Sequence, residues 1–252
     1  METMFWSVDG KIARLELNRP HVLNAMDNQA TIDLGSAADA IAREKNARVV
    51  IITGAGRSFS TGMDLKKLAA NKVEMIYHHR FERALRVFET MDKIVIAAIK
   101  EYCLGGGLQL ALACDVRVAA DNAILGLPAI KESLVPGLGT WRLPHYIGLG
   151  RAKKLILSGD NIKAKDALRI GLVDHVVPIK QFEKRLEKIA RAYLANCSEG
   201  TRQSKQLLNR SFDLEYDPFL KKYFELQEIA QTSSDHAEAK RAYREKREPV
   251  WK

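Results

Sequence analysis

Three consecutive glycines, Gly105-Gly106-Gly107, stand between an apolar run at 94–99 and an apolar helix pattern at 108–114. The run predicts a strand that is buried on both faces. Glycine lets the backbone take unusual dihedral angles and approach a ligand closely. The first N–H groups of a helix have no partner within the helix and carry partial positive charge. These glycines therefore indicate a site for a developing oxyanion, with close strand–helix packing as the competing interpretation.

A second segment, Phe59-Ser60-Thr61-Gly62-Met63-Asp64-Leu65-Lys66, has the residue types of a cleft-lining loop. Gly62 permits a sharp turn that would direct the next N–H into a cleft. Asp64 can cap the short helix that follows it. Taken by itself, the segment is equally compatible with an ordinary capped loop.

Other motifs of the sequence do not support a defined chemistry. Gly54-Ala55-Gly56 follows an apolar run, but Phe59 stands where a dinucleotide fingerprint needs its third glycine. The sequence contains neither a phosphate-binding Gly-Lys-Ser/Thr loop nor a Gly-x-Ser-x-Gly nucleophile turn. His78 and His79 are adjacent and would diverge on a helix, so no metal site is predicted.

Composition places the chain among globular proteins. Of 252 residues, 46% are hydrophobic and 28% charged, and no apolar run approaches the ~20 residues of a membrane span. The N-terminus lacks a signal-peptide pattern. Cys103, Cys114 and Cys197 are too few for a disulfide framework, and we expect buried thiols in a reducing cytoplasm.

The net charge of +9 is spread over mixed-sign clusters. No block of five like charges exists, so nucleic-acid binding and a membrane partner are not expected. A basic surface would still attract a small multiply charged anion such as a nucleotide.

Strand and helix patterns alternate to about residue 180, and helical patterns dominate afterwards. We therefore predict an α/β domain at 1–180 and a helical region at 181–252. Strands are predicted at 12–17, 49–52, 94–99, 116–120, 123–127 and 173–177. Helices are predicted at 27–44, 75–91, 108–114, 150–158, 164–170, 181–196, 201–212, 218–231 and 235–247.

Taken in order, these segments resemble the crotonase superfamily, the enoyl-CoA hydratase/isomerase family, over nearly the whole chain. The motifs that carry the resemblance are Leu17-Asn18-Arg19-Pro20, Asn24-Ala25, the 59–65 segment, Leu104-Gly105-Gly106-Gly107, Ala113-Cys114-Asp115-Val116-Arg117, Pro136-Gly137 and Gly171-Leu172-Val173. The resemblance implies an α/β fold, a spiral of ββα turns with a helical C-terminal trimerisation region. It implies a trimer or a dimer of trimers that acts on an acyl-CoA thioester. No permanently bound cofactor is implied, since coenzyme A enters as part of the substrate.

The resemblance also assigns a site. The family's oxyanion hole maps onto the backbone N–H groups of Met63 and Gly106. Residues implied at the coenzyme or acyl group are Val22, Leu23, Ala25, Thr61, Gly62, Asp64, Leu65, Lys66, Leu104, Pro128, Leu134 and Lys246, and Gly137 is implied at the catalytic centre. Lys66 and Lys246 are the expected phosphate partners.

The sequence departs from the family pattern at the two glutamates that hydratases use as acid and base. Their positions hold Gln109 and Ala129. A glutamine can orient water but cannot exchange a proton near neutral pH, and an alanine can do neither. Because loss of a general acid or base costs about 10²- to 10⁴-fold in rate, the two-glutamate mechanism is not expected to operate efficiently. Decarboxylation, thioester hydrolysis, isomerisation or residual hydration remain open.

Several side chains are candidates for the missing proton carrier. Glu132 follows Ala129 by three residues, and His79 or His78 lies where some relatives hold a side chain over the thioester. His236 in the tail and Glu101, where a glycine is usual, are further candidates. Each has a plain interpretation as a solvated surface residue.

Three functions therefore remain open: an enolate-stabilising enzyme, a catalytically weak acyl-CoA-binding protein, and an RNA-binding relative. The RNA-binding branch of the family carries a lysine-rich first long helix. Residues 31–44 contain only one basic residue, Arg43, which argues against that function.

Overall fold

The computed structural model describes residues 1–251. Its strands are β1 (Met4–Asp9), β2 (Ile12–Leu17), β3 (Val49–Gly54), β4 (Ile94–Ile99), β5 (Tyr102–Leu104), β6 (Val116–Ala120), β7 (Ile124–Gly126), β8 (Asn161–Lys163) and β9 (His175–Val177). Its helices are α1 (Asn28–Arg43), α2 (Leu65–Ala69), α3 (Met75–Thr90), α4 (Gly106–Leu112), α5 (Gly139–Ile147), α6 (Leu149–Ser158), α7 (Ala164–Arg169), α8 (Phe182–Leu194), α9 (Ser198–Leu208), α10 (Tyr216–Thr232) and α11 (Ser234–Glu245). Short 3₁₀ turns lie at Pro20–Val22, Pro128–Glu132 and Ile179–Gln181.

Two sheets carry the first part of the chain. The larger sheet has the strand order β1-β2-β3-β4-β6-β9 and is parallel except for the β1–β2 hairpin. The smaller sheet has the order β5-β7-β8. The pairs β4–β5 and β6–β7 each give one strand to each sheet, and α4 follows the first pair. The turns thus repeat as the expected α/β spiral of ββα units.

Apolar strands at the centre of the larger sheet explain its stability. Val50, Ile52, Val95 and Ala97 are fully buried, as parallel strands covered on both faces require. The strand predicted at 94–99 is confirmed residue for residue. The register sets Val49 opposite Ile94, so both strands end at the same edge of the sheet, where the Ser60 segment and β5 continue.

Some sequence predictions were wrong in detail. Helix α4 begins at Gly106 rather than at residue 108, so the second and third glycines belong to the helix. Strand β1 was missed, although it pairs with β2 along its whole length. Helix α5 was missed because its sequence starts at a glycine and contains Pro144. Cys103 and Cys114 are buried, but Cys197 is only half-buried.

The chain forms two compact units, Met1–Ala190 and a second that begins at Arg191, whereas the strand and helix patterns predicted a boundary at 180/181. Within the second unit, Asp235 accepts a hydrogen bond from the Glu199 N–H at 2.9 Å. The Arg247 guanidinium and the Val250 N–H donate hydrogen bonds to the Glu238 carboxylate and lower its pKa to about 2.

Within residues 1–251, no helix is both long and apolar enough to cross a bilayer.

Candidate active site

Two chain segments meet side by side to form the centre of the site. The Ser60 N–H donates to the Tyr102 carbonyl at 2.9 Å, and the Leu104 N–H donates to the Ser60 carbonyl at 3.0 Å. Gly62 has a φ of +87°, and a Cβ there would lie 2.6 Å from the Gly106 nitrogen. Only glycine at position 62 therefore permits this approach.

The glycines at the start of α4 also allow the close approach of the two segments. A Cβ on Gly107 would lie 2.5 Å from the Ser60 carbonyl oxygen, closer than real Cβ contacts occur. Gly105 has a φ of +50° and turns the chain from β5 into the helix. The close strand–helix packing is therefore confirmed, and Gly105 and Gly106 also line the cavity.

Met63 and Gly106 line the same cavity. Gly106 is the first residue of α4, so its N–H has no intrahelical acceptor. On either side of the Met63 N–H, the Gly62 carbonyl accepts from Met26 at 2.7 Å and the Asp64 N–H donates to Met26 at 2.9 Å. Alternation along this extended segment turns the Met63 N–H away from Met26. Two such donors beside one cavity suit an oxygen that gains negative charge during reaction.

The cavity has a volume of about 450 Å³ and a largely apolar lining. The predicted site residues that line it are Thr61, Met63, Leu65, His79, Gly106, Gln109, Pro128, Ala129, Glu132, Leu134 and Gly137. The predicted residues of this first unit that are not among its lining are Val22, Leu23, Ala25, Gly62, Asp64, Lys66 and Leu104. Lys246 and His236 belong to the second unit, at the end and in the first turn of α11.

Several predicted residues outside the lining support the site's walls. The Leu23 carbonyl accepts a hydrogen bond from the Thr61 N–H at 3.1 Å. Asp64 caps α2 as predicted, accepting from the Lys66 and Lys67 N–H groups. Its other carboxylate oxygen lies 3.3 Å from the Arg19 guanidinium, which ties the loop to the chain before α1.

Neither of the positions where hydratases carry glutamate supplies an acid or base. Gln109 is buried on α4, and Ala129 is half-buried in the 3₁₀ turn Pro128–Glu132. Glu132 and His79 line the cavity but are exposed to solvent. Glu101, where a glycine is usual, has a φ of +46°, which explains the usual preference for glycine, and it does not line the cavity.

A carboxylate that the sequence analysis missed lines the same cavity. Glu82 on α3 contacts Arg142 on α5, with 2.8 Å between its Oε2 and the arginine Nη1. Glu89, two helical turns further along α3, contacts the same guanidinium at 2.5 Å. Burial lowers the pKa of Arg142, but hydrogen bonds and charges from both glutamates outweigh it and raise the pKa overall. The seven-residue spacing of the glutamates was a usable signal, but α5 was not predicted.

The aromatic wall of the cavity is uncharged. Tyr77 is buried and stacks on Phe81, with 6.1 Å between the ring centroids. Burial raises the pKa of the Tyr77 hydroxyl, and the negative charges of Asp27 and Asp64 raise it further. The hydroxyl is therefore protonated near neutral pH.

Among residues 1–251, no group of three or more His, Cys, Asp and Glu side chains is arranged to hold a metal ion.

Comparison with known proteins identifies the family of the chain. The family model described as enoyl-CoA hydratase/isomerase matches residues 8–252. The chain is 34% identical to a short-chain-enoyl-CoA hydratase of Clostridium acetobutylicum, over 95% of this chain and 93% of the relative. It is 33% identical to a crotonyl-CoA hydratase of Syntrophomonas wolfei, over 98% and 96%.

A solved structure has the same fold. The crystal structure of an enoyl-CoA hydratase from Bacillus anthracis superposes with a TM-score of 0.94 at 34% identity, covering 100% of this chain and 99% of that one. The fold defines a crotonase-type protein. The chain belongs to the enoyl-CoA hydratase/isomerase family.

Proposed function

We propose that this protein binds an acyl-CoA thioester and stabilises its enolate through the backbone N–H groups of Met63 and Gly106. The observation that carries the proposal is that Met63 and Gly106 line one cavity, with position 62 too close to Gly106 for any side chain. Backbone donors are held by the fold, so they need no reorganisation when charge develops on the thioester oxygen. The curated relatives named as hydratases of enoyl-CoA and crotonyl-CoA support this substrate class.

The proposed reaction is one that does not need two glutamates. A two-glutamate hydration requires one group to activate water and another to handle the proton at carbon, and positions 109 and 129 hold Gln and Ala. Isomerisation, decarboxylation and thioester hydrolysis all use a stabilised thioester oxyanion with fewer proton carriers. The largely apolar cavity suits an acyl chain.

The coenzyme end of the substrate is proposed to lie along residues 22–25 and Lys66. This segment runs beside residues Thr61 and Gly62, since the Leu23 carbonyl accepts from the Thr61 N–H and the Met26 N–H donates to the Gly62 carbonyl. Lys66 is exposed and available to a phosphate. We propose Lys246 as a second phosphate partner.

Self-association as a trimer or a dimer of trimers is also proposed. Within the second unit, Phe212, Tyr216, Phe224 and Tyr243 expose most of their surface, an unusual number of large apolar side chains for so few residues. Light scattering on the purified protein gives the mass of the assembly, and a monomer would contradict this proposal.

The second candidate function, an acyl-CoA-binding protein with little turnover, is favoured by the missing carboxylates at 109 and 129. One experiment separates the two. The purified protein is incubated with crotonyl-CoA, methylmalonyl-CoA and aromatic acyl-CoA thioesters, and products are followed by mass. Turnover at enzyme-like rates supports the enzyme and rejects the binder. Tight binding, measured by calorimetry, without turnover of any compound supports the binder.

A further inference from the structure

The carboxylate of Glu82 is fixed in place from two sides. Glu82 and Glu89 lie on one face of α3, and a single guanidinium, that of Arg142, holds both. The Arg142 side chain is 3% exposed, so this contact is shielded from water. The second oxygen of Glu82 accepts a hydrogen bond from the Leu138 N–H at 3.0 Å. A buried anchor of this kind gives the carboxylate one defined position at the cavity wall.

Glu82 also meets the side chain that replaces the family's first glutamate. In the amide orientation that satisfies its neighbours, the Gln109 nitrogen donates to Glu82 Oε1 at 3.3 Å and to the Pro136 carbonyl at 3.1 Å. A Cβ on Gly137 would lie 2.5 Å from this Gln109 nitrogen position and 2.9 Å from the Glu82 Oε1, so the three positions converge. A glutamate at 109 would face Glu82 as a like charge, whereas the amide donates to it.

The carboxylate keeps capacity for one more partner. A carboxylate has about four lone-pair sites. Arg142, Leu138 and Gln109 use three of those on Glu82. The Glu82 side chain is 22% exposed and borders the cavity, so a proton or a substrate C–H can reach it from that side.

We propose that Glu82 is the proton carrier of this site, a carboxylate on α3 that takes the place of those absent at 109 and 129. The inference rests on the proposed function. Glu82 removes a proton from the carbon next to the thioester carbonyl. The C–H electron pair becomes a C=C bond, and the carbonyl π electrons move to the oxygen between the Met63 and Gly106 amides. Return of the proton to the same carbon restores the thioester, and its delivery two carbons further along a 3-enoyl chain yields the 2-enoyl isomer.

Glu82 lines the same cavity as Met63 and Gly106, whose N–H groups are the proposed oxyanion donors. The ring of Phe81, its neighbour on α3, would lie 3.5 Å from a Cβ on Gly106. Gln109, which contacts Glu82, lies about one helical turn beyond Gly106. Glu132 and His79 also border the cavity, but both are exposed, and neither has an ion pair within residues 1–251.

The test measures uptake of solvent deuterium at the α-carbon of butyryl-CoA and phenylacetyl-CoA by mass spectrometry. This exchange needs only proton removal and an oxyanion site, so it does not depend on knowing the natural acyl group. Glu82→Gln is expected to slow exchange at least ~100-fold, in line with loss of a general base, with acyl-CoA affinity little changed by calorimetry. The double variant Glu82→Gln/Gln109→Glu moves the carboxylate 3.3 Å across the contact and is expected to recover exchange.

Glu89→Gln is the matched control, because Glu89 contacts Arg142 but does not line the cavity. It is expected to share the stability loss of Glu82→Gln and to keep the exchange rate. Equal loss of exchange in both variants would overturn the proposal in favour of a structural role through Arg142. Wild-type exchange in Glu82→Gln would also overturn it, and loss in Glu132→Gln or His79→Ala instead would identify the true carrier.

Failure of the proposed function gives a different result. In that case the wild-type protein binds the thioesters and exchanges none of them. If Glu82→Gln does not fold, Glu82→Asp replaces it, since it keeps the charge and withdraws the carboxylate by one methylene. At least a tenfold loss is then expected, and exchange at the wild-type rate rejects Glu82.

Discussion

Gly62→Ala is the substitution that most directly separates the two proposed oxyanion donors. The added methyl carbon would lie 2.6 Å from the Gly106 nitrogen and 2.7 Å from the Leu104 carbonyl oxygen. Ordinary contact begins at 3.4 Å, so the segments must move apart by 3.4 − 2.6 = 0.8 Å. A displacement of about 1 Å at a reacting centre costs about 10²-fold in rate. That corresponds to about 2.7 kcal/mol of activation free energy.

The assay is the same α-carbon deuterium exchange, with unfolding followed by circular dichroism. Gly10→Ala is the control, because Gly10 also has a positive φ, +56°, but its added Cβ meets nothing within 4 Å. Both variants carry the strain of a left-handed residue, about 1–2 kcal/mol. Only Gly62→Ala should also lose exchange. The reasoning is refuted if folded Gly62→Ala exchanges at the wild-type rate, or if Gly10→Ala loses as much.

Two further predictions concern stability. Arg142→Met leaves Glu82 and Glu89 without their shared partner, and we expect a loss of about 3–5 kcal/mol in urea unfolding, whereas a loss below about 1 kcal/mol would contradict the ion-pair account. Burial raises the pKa of Asp33, but hydrogen bonds led by those from Thr3 outweigh it and lower the pKa overall. The ionised carboxylate therefore stabilises the fold above the unfolded pKa, and this contribution is lost as pH falls through the lower folded pKa. Asp33→Asn should destabilise the protein at neutral pH by an amount that shrinks in acid, and a gap independent of pH would contradict the assignment.

Helices and strands could be predicted from the sequence where the local residue pattern matches the surroundings of the element in the folded protein. The all-apolar run at 94–99 is a strand because both its faces are covered, and Asp64 caps α2 because its side chain reaches N–H groups two and three residues ahead. Strand β1 was not recognised because its partly exposed sequence becomes a strand by pairing with β2. Helix α5 was not predicted because Gly139 and Pro144 both have low helix propensity.

Some features of the candidate site could likewise be predicted from the sequence, and others only from the tertiary structure. At positions 62 and 107 a Cβ would collide with backbone, and Gly62 also has a positive φ, so the sequence by itself indicated the meeting of these two segments and the family. It also determined the absence of carboxylates at 109 and 129. Only the tertiary structure decided that Glu82 lies beside Gln109, because this contact joins α3 to α4 and depends on Arg142 from α5. Hydrophobic periodicity states which residues of a helix are buried, but the side chain that a partly buried carboxylate meets is set by how helices distant in sequence pack.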